Sequence, residues 1–310
     1  MDKKGIELNF SWIFGILVGI VILSVAIYAV VNLVDTEGEI AETVVAKQLG
    51  ILLNPVETSL EEIGYAVISL PAETQVINRC RNFGNFGKQI IATNEKRLIG
   101  DFGDEGKEIS FFNKYIFSQE VEEGKKLYLI VKPLEMPYKI ADLVFATTKN
   151  YCFVNSPNEI LEEIGDLNPA HVSFSDVAED CLEDSEMVCF GGAGGCNIEV
   201  NELGNYVTKN GKTVYYEGPL IYGAIFSESE IYECQVKRLM KRNAELAYLY
   251  ADKTEFLSGR GCPSNLKPEL LSFASELQFG EEETSSKLAS IYDASKILES
   301  RNELLKCELF

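Results

Sequence analysis

Residues 126–154 read KLYLIVKPLEMPYKIADLVFATTKNYCFV, and this stretch carries the pattern that decides the fold. Three runs rich in Val, Ile, Leu, Tyr and Phe are separated by Pro137 and by Lys149. Short apolar runs bounded by such breaks predict β-strands. Similar runs recur on both sides, so the sequence predicts a β-rich extracytoplasmic domain over residues 64–225 in a protein of the α+β class.

Turn signals subdivide this β-rich region. Asn210-Gly211 predicts a type I′ hairpin, because both central positions of that turn need a positive φ. The GGAGG segment at 191–195 lies between EMVCF and CNIEV and is interpreted as a flexible hairpin tip. PLIYGAIF, at 219–226, is interpreted as the last strand. One short helix is predicted for PNEILEEIGDLN, beginning at Pro157 behind a Ser156 N-cap.

Helical periodicity replaces the β pattern in residues 226–310, which are predicted to form a C-terminal helical subdomain. Ser227 and Glu230 have the spacing of a capping box, and Gly259 stands where a helix would end. A shorter helix is predicted over about 265–279 and a last one over about 284–307. Two long apolar stripes at heptad-like spacing indicate a helical hairpin that packs on itself or on the sheet.

The most apolar segment is residues 10–34, FSWIFGILVGIVILSVAIYAVVNLV, which are 25 residues without a charge. About 20 helical residues cross the hydrocarbon core of a bilayer, so this run predicts a transmembrane helix that contacts lipid. Residues 35–63 are predicted to continue it as a juxtamembrane helical segment. The alternative is a cleaved secretory signal, but its apolar region would be shorter and would end at an A-x-A-like site, which this run lacks.

Charges beside the apolar run predict its orientation. Lys3 and Lys4 precede it, whereas Asp35, Glu37 and Glu39 follow it. By the positive-inside rule, residues 1–9 form a cytoplasmic stub and the large C-terminal part lies outside the cell membrane. The chain is therefore expected to be a single-pass protein of the cell membrane with an extracellular domain.

The composition excludes some partners. The chain has 310 residues and a formal net charge of −20. Nucleic-acid binding requires basic surfaces, so nucleic acid is not an expected partner. Cation binding or a high-salt habitat would explain so much acid, but a solvated, repulsive surface explains it more simply.

Eight cysteines follow the apolar run, and an even number outside the membrane indicates disulfides. A zinc site usually has C-x₂₋₄-C pairs, which this chain lacks. Local spacing predicts one bond across GGAGG and, less directly, a second nearby. The helical hairpin predicts a third bond, which leaves the last two cysteines to pair with each other. The predicted pairs are Cys189–Cys196, Cys152–Cys181, Cys234–Cys307 and Cys80–Cys262. An up-down-up arrangement of the three helices would instead bring Cys307 near Cys262.

Candidate catalytic residues are few, and the sequence predicts no catalytic, cofactor or metal site. His171 is the only histidine, and no G-x-S-x-G elbow accompanies it, so a surface or loop position is expected. Acidic loops at 101–108 and 179–186 do not match a calcium-binding pattern and are interpreted as solvated. The GGAGG segment does not precede a predicted helix, which a phosphate-binding loop would require.

The N-terminal sequence MDKKGIELNF, followed by the apolar run, resembles an archaeal class III signal peptide, the leader of type IV pilin-like proteins. Lys3, Lys4, Gly5 and Glu7 carry the resemblance. It implies processing between Gly5 and Ile6 and a helix that packs in a filament core or remains as an anchor. Pilins usually carry glutamate at the fifth mature position, which is Phe10 here. The remainder resembles the outer domains of uncharacterised archaeal membrane-anchored surface proteins.

Three hypotheses for function follow. The first is a structural or adhesive cell-surface protein, such as a pilin-like filament subunit, with itself or other envelope proteins as partners. The second is an anchored extracytoplasmic hydrolase that uses carboxylates, which would require a cleft with converging carboxyl groups of raised pKa. The third is an accessory subunit of a membrane complex, which would expose an apolar patch.

Overall fold

The computed structural model of the chain describes residues 15–28, 64–96, 102, 105–191, 195–280 and 282–310. Residues 15–28 are helical and are named α1. The predicted span 10–34 therefore lies only partly within the described residues, whereas the predicted stub 1–9 and juxtamembrane segment 35–63 lie wholly outside them. No helix among the described residues combines the length and apolar character needed to cross a membrane.

The first sheet contains six strands in the spatial order β3-β2-β1-β5-β6-β4. Its neighbours are antiparallel except β4 and β6, which are parallel. Its long central strand β1 has an irregular register between Ser69 and Thr74. The strands are β1 (Gly64–Arg81), β2 (Lys88–Glu95), β3 (Ile109–Phe111), β4 (Ile116–Phe117), β5 (Val121–Glu135) and β6 (Lys139–Thr147).

This sheet curls strongly, because its two edge strands are nearly consecutive in sequence. Only residues 112–115 separate β3 from β4, although the two strands lie at opposite edges. Asn78 in β1 reaches across to the β4 edge and donates hydrogen bonds to the Ile116 carbonyl (3.3 Å) and to Ser118 Oγ (2.7 Å). The concave face encloses its own apolar cluster, which includes Leu70, Val76, Ile91, Leu127, Leu129 and Val144.

The second sheet also has six strands, in the order β12-β11-β10-β9-β7-β8. The neighbouring pairs β8–β7, β7–β9 and β9–β10 run parallel, whereas the pairs β10–β11 and β11–β12 run antiparallel. Helix α2 (Asn158–Gly165) connects β7 to β8 and begins one residue later than predicted, with Pro157 rather than Ser156 at the N-cap. The strands are β7 (Asn150–Val154), β8 (Val172–Ser175), β9 (Ser185–Phe190), β10 (Ile198–Asn201), β11 (Tyr206–Lys209) and β12 (Lys212–Tyr215).

One of the two hairpin predictions is confirmed and the other is wrong. Asn210 and Gly211 have φ values of 51° and 72° and connect β11 to β12, as a type I′ turn requires. In contrast, β9 and β10 pair in parallel, with Val188 opposite Ile198, so GGAGG does not form a hairpin tip. Residues 192–194 of that segment lie outside the described residues. Glycine and apolar runs indicate a turn and two strands, but they do not encode strand direction.

Four helices follow the second sheet: α3 (Leu220–Phe226), α4 (Ser229–Ser258), α5 (Lys267–Glu276) and α6 (Leu288–Glu303). The segment predicted as the last strand is α3, and all seven of its residues are buried. A short run that is apolar on every side fits a buried strand or a buried helix equally well. Gly223 allows the helix to pack closely, because a Cβ there would lie 2.6 Å from Cδ1 of Phe117.

The predicted capping box before α4 does not form. Ser227 donates its hydroxyl to the Gly223 carbonyl (2.6 Å) at the end of α3, and Glu228 occupies the N-cap of α4, where its side chain accepts from the Glu120 N–H (3.2 Å) rather than from an N–H of α4. The prediction is wrong because α3 ends at Phe226, so the Ser227 hydroxyl bonds to the end of α3 instead of to the start of α4.

The C-terminal helices form an up-down-up arrangement rather than a simple hairpin. Helix α5 packs against α4, and α6 packs against α5. Side chains from these helices, including Val236, Leu270 and Leu298, belong to the same buried cluster as residues of both sheets. The helices and sheets therefore share one hydrophobic core.

Four disulfides connect these elements. The predicted pairs Cys189–Cys196 and Cys152–Cys181 are confirmed, each with Cα atoms 5.8 Å apart. The predicted pairs Cys234–Cys307 and Cys80–Cys262 are wrong, because α5 lies between the two long helices. The bonds that form instead are Cys262–Cys307 and Cys80–Cys234.

Candidate functional site

Helix α4 closes the open seam between β3 and β4 through Arg238, which is fully buried. Its guanidinium donates to the carbonyl oxygens of Lys114 (2.9 Å), Phe112 (3.1 Å) and Phe86 (3.1 Å). It also lies 4.7 Å from the centre of the Tyr115 ring. Burial lowers the pKa of Arg238 to about 10, so the side chain remains a cation at neutral pH. Arginine suits this position because its planar donor fork reaches several carbonyls at once.

Neighbouring residues of α4 continue this seam. Gln235 donates to the Ile116 carbonyl (2.9 Å) and accepts from Arg238 (2.8 Å). Lys241 donates to the carbonyl oxygens of Gly84 (3.1 Å) and Asn82 in the β1–β2 loop. These side chains satisfy carbonyl groups of the β1–β2 loop, of the β3–β4 connection and of β4, and the Cys80–Cys234 bond fixes α4 beside them.

The β1–β2 loop beside the seam reads NFGNFG over residues 82–87. Phe83 and Phe86 are 83% and 39% exposed, and Phe112 across the seam is 64% exposed. Gly87 has a φ of 57°, and a Cβ there would lie 2.5 Å from the Arg81 carbonyl oxygen, so the turn requires glycine. The loop thus holds aromatic rings in solvent on a backbone fixed by Arg238 and Lys241.

A polar cleft of about 780 Å³ lies on another side of α4, at its N-terminus. It is bounded by the β4–β5 turn, by the β11–β12 hairpin and by the first residues of α4. Its charged lining residues are Glu120, Lys149, Glu186, Lys209, Lys212, Glu228 and Glu230.

Lys209 lines this cleft and is largely buried. Its ammonium donates to the carbonyl oxygens of Ala224 (2.7 Å), Ile225 (3.0 Å) and Ser227 at the end of α3. Burial lowers the pKa of Lys209 to about 7. All three donors are engaged, so this amine caps a helix C-terminus rather than presenting itself as a nucleophile.

Ion pairs account for the other lysines of the cleft. Lys149 contacts Glu186 at 2.8 Å, and Lys212 pairs with Glu230. Exposed pairs of this kind contribute little to stability. Their donors and acceptors nevertheless converge on one concave surface, which suits recognition of a polar ligand.

His171 is not the surface residue that was expected. It lies just before β8, only 3% exposed, and stacks on the rings of Tyr128 (4.4 Å) and Tyr65 (5.8 Å). Burial lowers its pKa to about 4, so the imidazole is neutral at physiological pH. His171 therefore acts as a packed aromatic ring, and its Nδ1 atom has no hydrogen-bond partner among the residues that the structure describes.

Glu122 is a buried carboxylate that sequence reasoning did not single out among 48 acidic residues. It is 1% exposed and accepts bonds from the Thr148 backbone N–H (2.8 Å), the Thr148 hydroxyl (2.8 Å) and the Gln119 N–H (3.2 Å). Burial raises its pKa. The carboxylate fastens the turn after β6 to the start of β5, which is a structural role.

Some carboxylates of the two acidic loops form ion pairs, so the interpretation of these loops as solvated holds only in part. Glu105 and Glu108 both contact Arg79, at 2.8 Å and 3.1 Å, while residues 101, 103 and 104 lie outside the described residues. Glu186 at the end of the second loop pairs with Lys149. Within the part of the chain that the structure describes, no group of three or more His, Cys, Asp or Glu side chains is arranged to hold a metal ion.

No protein-family model, curated protein or solved structure matches the chain. The molecule is a mixed α+β protein with a β-rich portion and four disulfides. Disulfides persist in oxidising compartments, so these bonds indicate an extracellular or secreted protein.

Proposed function

We propose that this chain is a membrane-anchored structural or adhesive protein of the cell surface. Residues 10–34 form the anchor, the N-terminus is cytoplasmic and residues 36–310 lie outside. The observation that carries the proposal is the set of four disulfides, of which Cys80–Cys234 joins β1 to α4. The uncharged 25-residue run supports the anchor.

The finer form of the proposal is a pilin-like subunit, supported by the Lys3-Lys4-Gly5 sequence before the apolar run. In this form, processing after Gly5 leaves Ile6 as the mature N-terminus. The protein's partners are then copies of itself or other envelope proteins.

Cell fractionation tests the anchor and its orientation. A C-terminally tagged chain is expected in the membrane fraction, and protease added to intact cells or spheroplasts should digest residues 36–310. A matched variant without residues 1–35 should leave the membrane fraction. Full protection of residues 36–310 from protease would contradict the proposal.

Mass spectrometry of the purified protein tests the finer form. A mature N-terminus at Ile6 supports pilin-like processing, and replacement of Gly5 by a bulky residue should then leave the leader in place. Retention of Met1 in the wild type would reduce the proposal to a plain membrane anchor.

A further inference from the structure

Three segments that the seam brings together contain no acidic residue. They are residues 81–94, 109–118 and 234–244, and they carry seven Lys and Arg residues. Since the chain totals −20 and these segments carry +7, the rest of the chain carries −27. The seam is therefore a basic region in a strongly acidic protein.

Two lysines at the seam have no carboxylate partner in the part of the chain that the structure describes. Among the described residues, neither Lys88 nor Lys241 forms an ion pair, and Lys241 contacts only backbone carbonyls. Lys88 lies directly opposite Arg81 in the β1–β2 ladder. Like charges at such positions repel each other, so an anionic partner would relieve a local cost. Arg81 itself shares a groove with Glu120 and Glu230.

Three exposed aromatic residues belong to the same segments as these cations. Phe83, Phe86 and Phe112 are exposed, and their segments are fixed to α4 because Arg238 donates to the Phe86 and Phe112 carbonyls and Lys241 donates to the Gly84 carbonyl. We name the surface formed by Arg81, Phe83, Phe86, Lys88, Phe112 and Lys241 the basic aromatic patch. Aromatic residues and arginine are typical anchors of protein interfaces, and the lysines of the patch add positive charge that steers an acidic partner.

A complementary surface lies on the second sheet. Residues 176–186, DVAEDCLEDSE, contain six acidic residues and no cation, and we name them the acidic loop. Val177 and Leu182 within it are 46% and 66% exposed. The Cys152–Cys181 bond ties the loop to β7. The loop thus offers apolar and anionic groups on a tethered backbone, which match the patch in both respects.

We propose that the basic aromatic patch of one molecule docks on the acidic loop of a second copy of this chain. A second copy is the favoured occupant, because the rest of the chain carries a large negative charge that complements the positive charge of the patch. A lipid surface is the poorer occupant, since the patch lies at the far end of β1 from residue 64, where the chain arrives from the proposed anchor. A strand of that length extends roughly 50–60 Å.

The contact joins two different surfaces, so it is heterologous, and a bound pair keeps one loop free on the first molecule and one patch free on the second. Contacts of this type build open chains unless their rotation closes a ring. This contact adds an assembly surface to the proposed function. It rests on that function only in one respect, namely that copies of the chain are concentrated at a membrane.

Sedimentation of the full chain in a mild detergent tests the association. At about 50 mM salt, where surface charges are weakly screened, we expect mass to rise with protein concentration. The double variant Phe83→Ser/Lys88→Glu should weaken self-association by about tenfold or more. The matched control Phe256→Ser/Lys306→Glu changes an exposed phenylalanine and lysine outside the patch and should associate like the wild type.

A charge exchange tests whether the acidic loop is the acceptor. Glu183→Lys alone should weaken association, and combining it with Lys88→Glu should restore part of the loss. Benzoyl-phenylalanine in place of Phe83, in a mixture of ¹⁵N-labelled and unlabelled protein, should crosslink to residues 176–186 of the other copy. Crosslinks to lipid, to other segments or only within one molecule would overturn the assignment.

Failure of this inference is separable from failure of the proposed function. A chain that remains monomeric at about 100 µM, far above the range expected of a specific interface, would overturn the inference even if protease shows the domain at the cell surface. A chain that associates as described but resists external protease would leave the inference intact and overturn the proposed location.

Discussion

At the scale of single residues, the buried titratable groups mark where pH acts on this molecule. His171 illustrates this, because its ring stacks on the rings of Tyr65 and Tyr128 and burial lowers its pKa from 6.5 to about 4. Between these two values the unfolded chain binds a proton that the folded chain does not. Stability therefore falls as the pH falls through this window.

Replacement of this histidine by phenylalanine should remove that dependence while preserving the stacking. Between about pH 7 and about pH 4.5, the wild type is expected to lose about 2 kcal/mol more unfolding free energy than His171→Phe. Urea denaturation of both proteins at the two pH values measures the difference. Equal losses in the two proteins would show that His171 does not titrate on unfolding.

Gly223 supports a second prediction at this scale. Gly223→Ala places a methyl group 2.6 Å from Phe117 Cδ1, so α3 or the β4 ring must move. The expected cost is about 1–3 kcal/mol of unfolding free energy. Gly165→Ala at the end of α2 is the matched control, because no atom lies within 4 Å of its Cβ, and it should be neutral or slightly stabilising. Equal effects of the two changes would contradict the packing argument.

At the scale of elements, the disulfides differ in what they constrain. Cys80 and Cys234 are 154 residues apart and join β1 to α4, whereas Cys189 and Cys196 are 7 apart. On the chain-entropy account, the long-range bond contributes about 5 kcal/mol and the local bond about 2.5 kcal/mol. We expect Cys80→Ala/Cys234→Ala to be the more destabilised double variant in chemical denaturation. The reverse order would show that loop closure does not govern these bonds.

Local chemistry made part of this fold predictable. The Asn210-Gly211 turn, the runs that became β5, β6 and β7, and the Cys189–Cys196 bond each follow from residues close together in sequence. The β9–β10 direction, the helical state of Leu220–Phe226 and the partner of Cys234 depend on packing between distant elements. Such packing cannot be predicted from the pattern of residues that are close together in sequence.

The candidate sites were hidden for the same reason. Lys209 and Arg238 read as ordinary surface cations in sequence, and only the fold places them against the ends of α3 and the edges of the first sheet. The absence of acid from 81–94, 109–118 and 234–244 was visible in the sequence. Its meaning required knowing that the three segments meet at one seam.

At the scale of the whole molecule, net charge should give salt two opposite effects. A charge of −20 repels itself in the folded state, so screening should stabilise the fold. Raising salt from about 0.05 M to about 0.5 M is expected to raise the thermal midpoint of dilute, monomeric protein. The same change should weaken the patch-to-loop contact, which depends on attraction. Scanning calorimetry measures the thermal midpoint, and sedimentation measures the self-association. If added salt strengthened both, or weakened both, one of the two predictions would be wrong.

The seam closed by α4 also bears on biogenesis. The first sheet leaves the ribosome and the export channel long before α4, because 154 residues separate Cys80 from its partner. Until Cys234 arrives, the sheet presents open edges and a reactive thiol, both of which invite wrong partners. In a truncated chain that lacks Cys234, the Cys80 thiol has no native partner, whereas in a complete chain it forms the Cys80–Cys234 disulfide. Oxidation of Cys80 with Cys234 therefore requires that translation and export have reached the first turns of α4, and a chain that ends earlier exposes the unpaired Cys80 thiol to enzymes that detect free thiols.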